Sequence, residues 1–174
     1  SHQQVAVLDL KSTEENADLA RALTAVLSAQ ISMIDGHKAI SRNDLHALLS
    51  QMETAQVLGC DDVKCAVNIA KAAKADLVVY GSIEEIDGAH TFSITLTEPQ
   101  TPQVLSRQNV VWRSDAAGMV DLVAPYTQKL FLGEEANTLK GDLDMIVMDG
   151  ATVFLNGKEI GETPLSGPIR DLPI

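Results

Sequence analysis

Two cysteines five positions apart, Cys60 and Cys65, are the residues best placed to do chemistry in this chain, and they are its only cysteines. Their spacing is not Cys-x-x-Cys, and no histidine lies beside them to complete a zinc site, so redox catalysis and metal binding are poorly served. A disulfide and a pair of buried thiols remain as readings. Residues five apart within one α-helix have Cα atoms roughly 8 to 9 Å apart, beyond the usual bridge range of about 4.4 to 6.8 Å. A bridge therefore requires Cys60 to stand before the helix. Gly59 permits this by turning the chain, and Asp61 or Asp62 by capping the helix that follows. Closing so short a loop is worth roughly 2 kcal/mol.

Asp9, Ser41 and Ser82 form a second group, at or just beyond the C-terminal ends of predicted strands, where open α/β sheets place ligands. A polar pocket or cation site is the chemistry they suggest. A turn carboxylate, a helix cap and a strand hydroxyl are the plain alternatives. Nucleophile and phosphate motifs are missing: the chain holds no Gly-x-Ser-x-Gly, no Gly-x-x-x-x-Gly-Lys and no His-Glu-x-x-His. His37, His46 and His90 are dispersed, and Lys64, Lys71 and Lys74 read as a solvated helix face. The expectation is a protein with no catalytic residues, no metal and no cofactor.

The elements that must position these residues follow from periodicity. Val5 to Leu10 is a short apolar run suited to a buried first strand. Ser12-x-x-Glu15 reads as a capping box before a helix striped by Leu19, Leu23, Val26, Leu27, Gln30 and Ile34, ending near Asp35-Gly36. His37 to Ile40 reads as a second strand. Ser41 then caps a helix faced by Leu45, Leu48, Leu49 and Met52. Val63, Ala66, Val67, Ala70 and Ala73 form the narrow face of the cysteine-bearing helix, and Leu77 to Tyr80, apolar on both faces, suits a central strand. Asp87-Gly88 marks a hairpin. Beyond it Phe92, Ile94 and Leu96 alternate with Thr91, Ser93, Thr95 and Thr97, as on a half-buried strand, and Val104 to Trp112 completes a meander. A closing helix capped by Ser114 or Asp115 runs to about Leu132 with Met119, Leu122, Val123, Tyr126 and Leu130 inward. Pro125 is expected to kink or divide it, at about 3 kcal/mol for an interior proline.

The fold class expected is α/β (α+β): a mixed sheet with flanking helices and an antiparallel meander over residues 1–132. A polar linker at 133–140 leads to a partial small β-sandwich at 141–174. A length of 174 residues suits one full core and a small appendage. Thirteen basic against 24 acidic residues leave a net charge of −11, which repels phosphate backbones and anionic lipid alike, and six aromatics leave little for base stacking. Nucleic acid is not an expected partner. No apolar run approaches the roughly 20 residues of a membrane span. The chain begins at Ser1-His2 without a signal-peptide pattern, which fits a cytosolic protein or an exported one trimmed of its leader.

In the tail, Leu143 to Val147 and Thr152 to Leu155 read as strands, and Asn156-Gly157 is the strongest hairpin signal in the chain. The prolines and glycines from Thr163 onward argue against a further long element. The segment Gly150-Ala151-Thr152-Val153-Phe154-Leu155-Asn156-Gly157-Lys158-Glu159-Ile160-Gly161-Glu162-Thr163-Pro164-Leu165 resembles the PEGA domain family: Gly-Ala, a strand, Asn-Gly-Lys, then Gly-x-Thr-Pro. The residues that carry the match are Gly150, Ala151, Asn156, Gly157, Lys158, Gly161, Thr163 and Pro164. Met148-Asp149 stands where the family has Pro-Glu. The larger part, with VAVLDL, the two cysteines and ADLVVYGSI, is similar to the α/β domain that precedes PEGA modules, and more distantly to the TolB amino-terminal domain and the CsgG/LpoB group of bacterial envelope proteins.

These resemblances imply a non-enzymatic protein of the periplasm or outer membrane that docks envelope proteins through exposed sheet edges or the PEGA-like hairpin. A small-ligand or glycan-binding domain is the alternative. Export would also favour the disulfide. The open strand edges of a partial sandwich imply that the tail contacts the first domain or a neighbouring chain.

Overall fold

The computed structural model describes residues 1–50, 59–60 and 62–133, together with four tail strands at 140–143, 152–155, 158–162 and 169–173. The chain divides into two compact units, Ser1–Glu134 and Glu135–Ile174. The first contains a five-stranded sheet in the order β2-β1-β3-β4-β5, formed by β1 (Gln3–Val7), β2 (His37–Ile40), β3 (Leu77–Ile86), β4 (Ala89–Glu98) and β5 (Gln103–Trp112). β1 runs parallel to both β2 and β3, whereas β3, β4 and β5 form an antiparallel meander, so the sheet is mixed.

Period-two alternation divides the apolar residues between two faces. Val5, Val7, Val79, Ile83, Phe92 and Ile94 face α1 (Ala17–Ser32) and α4 (Val120–Leu132), which bury Leu23, Leu27, Ile31, Val123 and Leu130 against them. Ala6, Leu8, Val78 and Tyr80 face α2 (Arg42–Leu49) and α3 (Val63–Ala72), where Leu45, Leu49, Ala66, Ile69 and Ala70 form the second core. The small alanine face of α3 is thus buried as its spacing requires, and Lys64, Lys71 and Lys74 are exposed. At the β3–β4 hairpin, Asp87 (φ 52°) and Gly88 (φ 75°) both adopt the left-handed region that a two-residue turn demands.

Several local expectations are corrected. The capping box does not form. A 3-10 turn at Glu14–Asn16 precedes α1, and Thr13 at its cap accepts no backbone hydrogen bond through its side chain. β1 ends at Val7, not Leu10: the chain leaves the sheet at Asp9 and touches it again at Lys11, which bridges in parallel to Ser82. Leu10 instead donates its N–H to the buried Thr24 hydroxyl at 3.1 Å. Leu48 is 48% exposed, because the eight-residue α2 has only one buried edge, at Leu45 and Leu49. Thr95 and Thr97, expected on a wet face, are buried where the second face continues beside the α3 core.

Pro125 does not divide its helix. A 3-10 turn at Ala116–Met119, capped by the Asp115 carboxylate, leads into α4, which continues through the proline. Pro125 is interior, the sixth of thirteen residues, but exposed, so it removes one bond while the buried Val123, Thr127 and Leu130 anchor the helix. In the second unit, β6 (Lys140–Leu143) pairs antiparallel with β9 (Ile169–Pro173), and β7 (Thr152–Leu155) with β8 (Lys158–Glu162). The first tail strand therefore begins earlier than expected, and β9 is an element the proline-rich reading omitted. Leu155 pairs with Lys158. Gly150, Ala151, Asn156, Gly157, Thr163 and Pro164 lie outside the described residues, whereas Lys158 and Gly161 lie in β8.

Candidate functional site

The cysteines are bonded: Cys60 and Cys65 form a disulfide with a Cα–Cα distance of 5.7 Å. Cys60 stands outside α3, and Asp62 caps the helix by accepting the Cys65 N–H at 2.9 Å. The cap fixes the first turn, and Cys65 within that turn reaches back to a residue that is 1% exposed in the second core. Gly59 beside it lies close to the backbone of Asp9 and Lys11. The bridge thereby holds the 59–60 segment against the chain leaving β1.

Asp9 and Ser41 follow the C-terminal ends of β1 and β2, where the sequence places them. A residue that sequence reasoning passed over, Arg42, decides the environment of Asp9. Its guanidinium donates from Nε to Asp9 Oδ1 at 3.0 Å and from an amino group to Oδ2 at 2.9 Å, a two-pronged pair. The hydrogen bond to Asp9, then the carboxylate's charge, raise the Arg42 pKa. Ser41 is occupied as a cap: its hydroxyl accepts the Asp44 N–H at 3.1 Å and donates to the Asp44 carboxylate at 2.7 Å. Both residues are satisfied by protein groups.

Ser82 lines a groove instead. It is the sixth residue of a ten-residue β3 rather than at a strand end, because Gly81 lets the strand continue. A Cβ on Gly81 would meet the Ser93 backbone oxygen at 1.9 Å, so β3 and β4 approach here as only glycine allows. On the second sheet face, beyond the α3 core, two cross-strand rows run Tyr80–Thr95–Arg107 and Ser82–Ser93–Asn109. They floor a groove of ≈ 600 Å³, walled by Lys11, Ser12 and Thr13. Its lining contains Ser82 and neither Asp9 nor Ser41. The three residues singled out by sequence are therefore divided between a satisfied ion-pair cluster and an open groove.

The outer edge of the sheet is β5. Among the described residues it pairs only with β4, and it exposes Val104, Leu105 and Val111 along ten residues. The opposite edge, β2, has four residues, and His37 at its start packs edge-on against Phe131 of α4. β5 is thus the long edge of the sheet. Across Gln103–Arg113 it carries two arginines and no acidic residue, in a chain of net charge −11. Its signal in the sequence was alternation, which places Arg107, Asn109 and Val111 on one face and Val110 and Trp112 on the packed one.

These features sit on a known shape. The fold resembles that of the LpoB C-terminal domain. The Salmonella enterica structure of that domain superposes with a TM-score of 0.52 at 18% identity, over 66% of this chain and 84% of that one. Lipoprotein GNA1162 from Neisseria meningitidis gives 0.52 at 14% identity, over 79% and 99%. TolB from Acinetobacter baumannii reaches 0.48 at 16% identity, over 76% and 29%. At these identities the likeness is one of fold. No protein-family model and no curated protein matches the sequence. Among the described residues, no group of three or more His, Cys, Asp or Glu side chains is placed to hold a metal ion, and no helix is long and apolar enough to cross a membrane.

Proposed function

We propose that this chain is a non-catalytic docking module of the bacterial cell envelope, which receives an extended segment of another envelope protein along β5. The observation that carries the reading is the edge itself. Ten residues of open strand, with apolar side chains at Val104, Leu105 and Val111, match strand addition, in which main-chain hydrogen bonds give affinity and alternate side chains give specificity. Charge selects the partner's chemistry: Arg107 and Arg113 on an edge without acids favour a segment that is apolar at alternate positions and carries carboxylates.

Compartment is supported by the disulfide, which persists in oxidising surroundings such as the periplasm. Likeness of fold to LpoB and to a lipoprotein supports the same setting. The PEGA-like residues of the tail support it independently, and the second unit is proposed as a PEGA-like module whose own edges contact a neighbouring chain.

A photo-crosslinking residue at Val104, used in intact cells, tests the proposal. The expected adduct joins β5 to an acidic, extended segment of an envelope protein, and L105D, with the fold preserved by circular dichroism, lowers its yield about tenfold. Adducts with cytosolic proteins alone, or a yield unchanged by L105D, would sink it.

A further inference from the structure

We infer that the groove on the open half of the sheet binds the carboxylate of a small hydrogen-bonding ligand, with the Arg107 guanidinium as its anchor. The floor is rich in donors. Arg107 Nε donates to Thr95 Oγ1 at 3.2 Å, and Thr95 is 4% exposed, so a buried hydroxyl orients the guanidinium while its terminal amino groups stay free for a ligand. Arg21 and Arg42 each have a carboxylate partner; Arg107 has none among the described residues. Ser93 donates to Asn109 Oδ1 at 2.6 Å, which takes the acceptor end of that amide and leaves its NH₂ as a donor. Ser82 adds a hydroxyl in the same row.

An acceptor-only, planar anion fits this set better than any neutral group. A carboxylate accepts two parallel bonds from a guanidinium and further bonds from amide and hydroxyl. The two floor rows contain no acidic side chain. Glu84, one row further along β3, places a negative charge where a second anionic group would lie. With acidic Glu84 and Glu85 also in the lining, the ligand proposed is a monocarboxylate rather than a polyanion. A volume of ≈ 600 Å³ is within the range of about 300 to 1,000 Å³ common for small-molecule sites. A short peptide with a free C-terminus and a sugar acid are the two sources of such chemistry.

Amide chemical shifts of the isotope-labelled full chain test this inference, with four probes: N-acetyl-Ala-Ala, its C-terminal amide, glucuronate and glucose. The expected result is a saturable shift of Ser82, Ser93 and Asn109 with one or both acids and none with the neutral analogues. R107Q is expected to weaken binding at least tenfold. A response to the peptide acid alone, or to glucuronate alone, supports the site and assigns its source. If R107Q does not fold, N109D, which keeps the arginine and sets a carboxylate in the floor, is expected to give the same loss. Equal shifts with acids and neutral analogues, no shifts at millimolar acid, or affinity unchanged in a folded variant would overturn it. This inference does not depend on docking at β5.

Discussion

Opening the Cys60–Cys65 bridge is expected to destabilise the α/β unit by about 2 kcal/mol. The bonded residues are five apart, and the chain-entropy relation for a loop that short gives about 7 cal/mol/K, or about 2 kcal/mol at room temperature. For a unit spanning Ser1–Glu134, unfolding entropy near 2.1 cal/mol/K per residue sums to roughly 0.28 kcal/mol/K, so the midpoint should fall by about 7 °C. Replacing both cysteines with alanine should cost about 1 kcal/mol more, because Cys60 fills a core with Leu45, Leu49 and Ala70. Calorimetry of the oxidised chain, the reduced chain and the C60A/C65A variant separates the two contributions. A second readout follows from position: the bridge steadies the segment packed on Asp9 and Lys11, so reduction should raise amide exchange from Asp9 to Thr13 before it does so in β4. An unchanged midpoint on reduction, within about 0.5 kcal/mol, would show that this segment is uncoupled from the core and refute the reasoning.

Other perturbations have equally defined outcomes. Gly81→Ala forces a Cβ into the Ser93 carbonyl and should destabilise by about 3 kcal/mol in urea unfolding; a loss below about 1 kcal/mol would mean that β3 and β4 separate easily there. Thr97→Val should stabilise by about 1 kcal/mol, because the Thr97 hydroxyl is wholly buried with no hydrogen-bond partner among the described residues, and destabilisation would reveal a partner. Arg42→Ala should change stability by less than about 1 kcal/mol, since Arg42 is 54% and Asp9 22% exposed. Arg42 is held protonated by Asp9. Its raised pKa contributes stability that is complete below arginine's ordinary range and is lost only as pH rises above it. The Arg42→Ala difference should therefore stay flat from about pH 6 to 9, and a slope within that window would implicate another group.

Much of the architecture was legible in local pattern. Continuous apolar runs at Val5–Leu8 and Leu77–Tyr80, the alanine face of α3, the Ser41 and Asp62 caps and the Asp87-Gly88 turn depend on neighbours within a few residues, so linear sequence encodes them. The placement of Cys60 before its helix was likewise a matter of short-range geometry. Misreadings arose where a distant partner outweighs a local preference. Thr24 takes the Leu10 N–H and helps draw the chain out of β1, and the packed face of α4 overrides Pro125.

The candidate site was less legible, because its residues meet through register. Arg42 finds Asp9 across 33 positions, and Arg107 and Asn109 face Thr95, Ser93, Tyr80 and Ser82 only once three strands pair. Sequence by itself determined a mixed α/β sheet, two cysteines able to bridge and the absence of familiar catalytic motifs, since these follow from residue type and spacing. Tertiary structure alone decided that Asp9 pairs with Arg42 while Ser82 lines a donor-rich groove, and that β5 is, among the described residues, the long edge of the sheet beside that groove. Strand order and register are set by the packing of the whole chain, and no local window contains them.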